Sequence, residues 1–341
     1  MPAALPDKRR VTGSYLQPLL EAAAARGVTP QALALAAGLP AGALDPLPDS
    51  LAAGTYVQLL EVGATLADDA HFGLHVGERV KLGTYSVYGL ILLSCRDFAQ
   101  ALQQTARYEI LAHDLGRSAL SVDGERACYT WTSNFGSASR HLAESVFAGI
   151  RTFGNWLAGQ TLPEAAISFM HGPGAPLDEY VRVLGVAPQF DAPSHSARFD
   201  AAILAWPVPN ADVGLYPILQ QHAEQLLARR ALEQDDIVAQ VRAAVIRNLA
   251  QDRVRLASIA EALELSPRTL QRKLAEAGAS FQQVLDQARF ALAQDYLRQP
   301  GLSLVDIAFL LGYQEQSAFS HAFKEWAGMN PGAWREQAAR G

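Results

Sequence analysis

The sequence predicts two domains: an α+β N-terminal domain, followed by an all-α C-terminal domain with two helix-turn-helix motifs joined by a linker helix. Three observations carry that prediction. Before residue 229, helical and strand-like apolar periodicities are mixed, and after residue 236 the periodicity is helical throughout. Between them, Arg229 to Asp236 form a short charged run suited to a boundary. Residues 256 to 327 then carry one pattern twice: Ile259-Ala260 and Leu263 recur 48 positions later as Ile307-Ala308 and Leu311. Leu270, Arg272 and Leu274 recur 49 positions later as Phe319, His321 and Phe323, so the copies differ by one residue in the turn. The expected organisation is a flexible tail at 1–12, a first domain at 13–228, a linker at 229–236 and a second domain at 237–341. Within the second domain, the first helix-turn-helix is expected at 256–277, the linker helix at 281–298 and the second unit at 303–327.

In chain order, helical periodicity appears at Tyr15 to Arg26, at 50 to 67, and from Asp97, a suitable N-cap, to His113. Residues 118 to 122 and 126 to 132 alternate around Asp123-Gly124, which predicts a β-hairpin. A helix over 138 to 158 follows, with Leu142, Val146, Ile150, Phe153 and Trp156 at helical spacing. Ala165 to Met170 reads as a strand ending at His171-Gly-Pro-Gly174, and the Pro-, Ala- and Asp-rich stretch Val186 to Asp212 reads as irregular. Helices are expected at 215 to 230 and 236 to 250.

The 341 residues suffice for two domains with separate cores, and 50% hydrophobic against 18% charged residues predicts a compact chain. No run of about 18 uncharged apolar residues is present, and the first residues lack a signal-peptide core. These features predict a cytoplasmic protein without membrane attachment. The two cysteines, Cys95 and Cys128, lack CxxC spacing and predict neither a disulfide framework nor a zinc knuckle. The net charge of −6 is uneven. Residues 251 to 341 hold ten basic and ten acidic residues, so the deficit lies in the first 250. A neutral helical domain binds DNA only if its cations share one face.

The two repeats supply such faces. In the first, Ser266 is placed to cap a helix with Pro267 in its first turn, and Leu270 and Leu274 face inward. Arg268, Gln271 and Arg272 then point outward together; Arg grips guanine and Gln grips adenine bidentately in the major groove. In the second, Ser303 and Asp306 form a variant capping box, and the outward set is Gln316, Ser317, Ser320 and His321. Two such helices reach successive major-groove segments roughly 34 Å apart. A solvated helix face is the bland reading of either set, and the tandem motif favours DNA contact.

These residues resemble the DNA-binding domain of the AraC/XylS family of bacterial transcriptional regulators over about 240 to 336. The resemblance rests on Ser266-Pro-Arg-Thr-Leu-Gln-Arg272, Ala308-Phe-Leu-Leu-Gly312-Tyr313, Ser317-Ala-Phe319, Ala322-Phe323-Lys324 and Gly328-Met-Asn-Pro331-Gly-Ala-Trp-Arg335. It implies DNA contacts at Arg268, Gln271, Arg272, Gln316, Ser317, Ser320, His321 and Lys324. The chain departs from the family where His321 stands in place of an Arg and Glu325 in place of a basic residue. Four apart on one helix, those two are placed to pair with each other.

The N-terminal domain is similar to the arabinose-binding-like sensor domain of a subset of the family. The likeness lies in His71-Phe-Gly-Leu74-His-Val-Gly77-Glu-Arg79, Leu82-Gly-Thr-Tyr85-Ser-Val-Tyr88-Gly89, Ala101-Leu102 with Arg107-Tyr108, and Phe190-Asp-Ala192. It implies a small-molecule effector domain without assigning the molecule. Tyr85, Tyr88, Trp131, Phe147, Arg151 and Trp156 are the candidate ligand residues, against core packing as their plain alternative.

His71 and His75 would share a metal if helical, but no third ligand is evident in the sequence. Gly172-Pro173-Gly174 reads as a turn, since no GK[ST] follows, and no GxSxG, HExxH or paired-carboxylate motif is present in the required context. No catalytic residue, cofactor or metal is therefore expected. The expected function is promoter-binding activation in response to a small molecule, with double-stranded DNA, RNA polymerase and a second copy of the chain as partners. The alternatives are an enzyme of small-molecule metabolism with an appended DNA-binding domain, and a ligand-independent DNA-binding scaffold.

Overall fold

The computed structural model describes residues 9–136, 139–174, 176–209, 211–234, 237–249, 254–299 and 301–340. It divides into two compact units, 1–223 and 224–341.

The first unit opens with β1 (Arg10–Thr12), antiparallel to β2 (Ser50–Ala52) with Val11 opposite Leu51. Residues 10–12 are therefore not part of a loose tail: pairing satisfies this backbone, and Val11 is buried. Residues 1–8 lie outside the described set. The same pairing takes Ser50–Ala52 out of the helix expected at 50 to 67. Helix α1 (Gly13–Ala24) is capped by Thr12 and buries Tyr15, Leu16, Leu19, Ala22 and Ala23, a helical stripe. Gly13 is required there, since a Cβ would overlap the Pro48 carbonyl oxygen. Next come α2 (Pro30–Ala36), capped by Thr29, and α3 (Ala53–Leu66).

Helix α4 (Phe72–Gly77) explains the glycines of its motif. A Cβ on Gly73 would overlap the His141 backbone, and one on Gly77 would overlap Ala148. Two glycines four apart thus let α4 lie directly on the long helix α7 (Arg140–Ala158). Between them in sequence are α5 (Ser86–Leu93) and α6 (Phe98–Tyr108), where Asp97 accepts from the Gln100 amide at 2.8 Å, the cap its position predicts.

A four-stranded antiparallel sheet packs on α7. Its strands β3 (Gly116–Asp123), β4 (Arg126–Ser133), β5 (Ala166–Ser168) and β6 (His195–Asp200) lie in the order β3-β4-β6-β5. The predicted hairpin turns at Gly124, whose φ of 57° suits glycine. Strand β6 corrects the irregular reading of 186 to 212: it pairs with β4 from Arg126↔Asp200 to Trp131↔His195. Its buried residues include His195 and Ser196, so the strand carries no apolar alternation to reveal it. Helix α8 (Leu177–Leu184) lies between β5 and β6 in sequence.

Helix α9 (Tyr216–Gln234) runs through most of the expected linker. Ala228 and Ala231 are buried beside the charged residues, so that run continues a helix and does not break it; residues 235 and 236 lie outside the described set. The second unit continues with α10 (Ile237–Asn248), α11 (Leu256–Ala262), α12 (Pro267–Glu276), α13 (Phe281–Leu297), α14 (Leu304–Leu310), α15 (Gln316–Ala327) and α16 (Pro331–Arg340). It is helical throughout the described residues, as expected. One core joins Val241, Val245, Ile259, Leu270, Leu285, Leu292, Ile307, Phe319 and Phe323, so both repeats close around α13.

Candidate functional site

Two faces of the second unit and one cavity of the first hold the residues of interest. In the first repeat, α11 buries Ile259 and Ala260, and the turn passes through Glu264 at a φ of 54°. Ser266 then accepts from the Thr269 amide at 3.1 Å and starts α12. Leu270 and Leu274 are buried, which leaves Arg268, Gln271 and Arg272 exposed on the opposite face. The Arg272 guanidinium rests 2.8 Å from the Glu276 carboxylate, one turn on. Both partners are more than half exposed, and an exposed pair of this kind is worth only about 0.3–0.5 kcal/mol. It orients the arginine without preventing exchange onto a base.

In the second repeat, Ile307, Ala308 and Leu311 are buried, and Gly312 turns at a φ of 74°, where a Cβ would press on the Leu249 carbonyl. Phe319 and Phe323 are buried on the inner face of α15. Gln316, Ser317, His321 and Lys324 are exposed, and Ser320 is half-buried. The expected pair forms: His321 Nδ1 lies 3.4 Å from Glu325 Oε1. The second face thus offers Lys324 as a cation beside an imidazole held against a carboxylate.

Sequence reasoning missed the bolts that hold these helices. Arg289 of α13 donates to the Leu311 carbonyl at 3.0 Å and stacks over Tyr313 at 4.4 Å, which fixes the second turn to the linker helix. Arg335 donates to the Leu302 carbonyl at 2.8 Å, and Arg298 lies 4.9 Å over Trp334. Tyr313, Trp334 and Arg335 belong to the motifs that carry the resemblance, and this packing gives those motifs a physical reason.

In the first unit a cavity of about 150 Å³ lies between α5, α6, α7 and the sheet. Of the candidate ligand residues, Tyr85, Tyr88, Phe147 and Arg151 line it. Trp131 and Trp156 are not among its lining residues. Trp131 is 2% exposed and packs on Gly116 and, at 6.1 Å, on His195, so it is core. Trp156 is 51% exposed on the outer side of α7 and lines an open cleft instead. The sequence reading missed Tyr129, Phe153 and Phe199. Strand alternation was the available signal for Tyr129, two residues from Trp131 and buried on the same face of β4.

Polar groups at this cavity are largely engaged. The Tyr129 hydroxyl lies 2.6 Å from Ser118 Oγ, and Ser118 donates to the buried Glu109 carboxylate through both its hydroxyl and its amide. Burial pushes the Glu109 carboxyl up to about 7 against these donors, which favour the charged form. Tyr88 is hydrogen-bonded to Thr105.

His71 and His75 are not both in α4: His71 precedes its first residue. His75 places its ring nitrogens 2.6 Å from Asp69 and from Glu179, and with Glu78 and Glu179 it forms a group of metal-ligand type that the sequence did not bring together. The Arg182 guanidinium already binds both Glu78 and Glu179 at 2.5–2.9 Å. Hydrogen bonds from Arg182, and then from His75, hold the Glu179 carboxyl down to about 2. This network ties α4 to α8.

Comparison with known proteins bears on both units. Residues 27–208 match the family model described as the arabinose-binding domain of AraC transcription regulator, N-term, and residues 259–337 match a helix-turn-helix domain model. The chain is 31% identical to the ornithine utilization regulator of Pseudomonas aeruginosa over 328 residues, 95% of each chain. It is 28% identical over 286 residues to the HTH-type transcriptional regulator VirS of Mycobacterium tuberculosis, covering 82% of this chain and 83% of that one. Among solved structures, transcriptional regulator CdpR from Pseudomonas aeruginosa aligns with a TM-score of 0.48 and 22% identity, covering 95% of this chain and 98% of that one.

Proposed function

The chain belongs to the AraC family of DNA-binding transcriptional regulators, and from that premise we propose a ligand-responsive activator that reads promoter DNA with both helix-turn-helix units. The observation that carries this reading is the division of labour within one chain. Two helices, α12 and α15, turn polar faces to solvent over a shared core, while the other unit holds an apolar cavity. Arg272 and Arg268 are the candidates for guanine, and Gln271 and Gln316 for adenine. Ser317, Ser320 and His321 supply further hydrogen bonds, and Lys324 neutralises a phosphate.

The second copy of the chain is the expected partner, because the cationic footprint is modest and linkage raises the effective concentration of reading helices. RNA polymerase is the partner that activation requires, and the cytoplasm is the compartment in which both would meet. Catalysis has no place in this account. Selection of bound duplexes from a random DNA pool by the full chain tests it. The expected product is a consensus in which each bound chain accounts for two base blocks about 10 base pairs apart. A pool that stays random would remove sequence-specific reading, and a single block would confine it to one unit.

A further inference from the structure

We propose that the cavity of the first unit takes a small monocarboxylate with a compact hydrocarbon body, its carbon skeleton inside and its carboxylate on Arg151. The proposal rests on the ligand-response reading above and names the ligand class for it.

Size and lining define the body. The cavity holds about 150 Å³, between Leu92, Phe98, Phe153, Ile167 and Phe199. An apolar cavity of this volume stays dry and admits a molecule of benzene size, which sets a body of about five to seven carbons. A pentose is a poor match, whatever sugar the family model is described by. Its four hydroxyls need partners, yet of the three tyrosines lining the cavity Tyr129 is engaged with Ser118 and Tyr88 with Thr105, which leaves the Tyr85 hydroxyl to serve all four. Each hydroxyl buried without a partner lowers affinity by roughly tenfold or more.

The head group follows from the position of Arg151. It is the one charged side chain among the described lining residues. Together with Leu157 it also lines the open cleft beside the cavity, so its guanidinium marks the passage from apolar interior to polar exterior. One of its N–H groups donates to the Pro163 carbonyl at 2.9 Å, which fixes the side chain and leaves further donors of the fork. Gly185 gives the guanidinium room, since a Cβ there would lie 3.1 Å from Nη2. Exposed Glu164 is the protein's own anion within electrostatic reach, and a ligand carboxylate would compete with it in a drier setting.

Three cyclohexyl probes that differ in the head group, and one sugar, decide the matter: cyclohexanecarboxylate, cyclohexylmethanol, cyclohexylmethylamine and L-arabinose. Each is titrated into the full chain by calorimetry and by thermal melting. The carboxylate is expected to bind at least tenfold tighter than the alcohol, with no shift from the amine or the sugar. In Arg151→Gln the carboxylate should lose that advantage to within about twofold while the alcohol still binds, which shows the cavity intact. Equal or tighter binding of the alcohol, amine or arabinose overturns the proposal, as does an unchanged preference in Arg151→Gln or no binding of the carboxylate. Carboxylate binding that leaves affinity for the selected DNA unchanged would uphold the cavity assignment and remove the ligand-response reading.

Discussion

Arg272 holds a free-energy choice that a single substitution exposes. Its pairing with Glu276 is exposed and weak, whereas a bidentate base contact discriminates by about 1–3 kcal/mol. Arg272→Ala should therefore lose that amount of affinity for the selected sequence and much less for random DNA, read by competition binding at fixed salt. An equal drop on both would make Arg272 a backbone contact. Glu109 poses a different residue-scale question. Its carboxyl titrates at about 7 when folded, above the ordinary value near 4.3, so the folded state holds the proton more tightly. Its stabilisation is present in full below about pH 4.3 and is lost as pH rises through 7. Glu109→Gln, which never ionises, should gain on the wild type between pH 5 and 8 by up to about 3 kcal/mol in urea unfolding. Parallel stability curves would show that burial does not govern this carboxyl. The sequence made the exposed set Arg268, Gln271 and Arg272 legible because a helix with two buried leucines leaves only one outward face. It misplaced Trp131 and Trp156, because aromatic size reports burial or surface area and not which wall encloses a cavity.

At the scale of elements, the recognition helices were readable in advance, and the strands and short helices of the first unit were less so. Caps at Asp97, Ser266 and Ser303 are local signals, satisfied within three residues of the chain. Strand β6 depends on β4, some seventy residues earlier, and its buried His195 and Ser196 disguise it. Helix α4 is fixed by backbone approach to α7 through Gly73 and Gly77, a tertiary fact that a hydrophobic pattern does not record. Helix α15 gives the prediction at this scale. Its His321–Glu325 pair sits where a reading face needs cations. His321→Arg with Glu325→Arg should tighten DNA binding and steepen the slope of log affinity against log salt by about 1–2, as added cations release counterions. A salt titration with an unchanged slope would mean that this end of α15 faces away from DNA.

The whole molecule divides where its cores divide. The core of the helical unit is built from residues between Ile237 and Phe323, so the fragment 237–341 should melt cooperatively and bind the selected DNA. An unfolded 237–341 beside a folded 224–341 would move the boundary to the one at Ala223 and Glu224. The fold class was legible from the repeat and from the change of periodicity; the cavity was not, because its walls come from five separated segments between Tyr85 and Ile203. On the proposed reading, one chain engages DNA with two helices at once. Hydroxyl-radical footprinting of the full chain on the selected duplex tests it most directly. Two protected patches per chain are expected on one face, about one helical turn apart, with Gln316→Ala plus His321→Ala erasing one and Arg272→Ala weakening the other. A single patch that is indifferent to the α15 substitutions would contradict it.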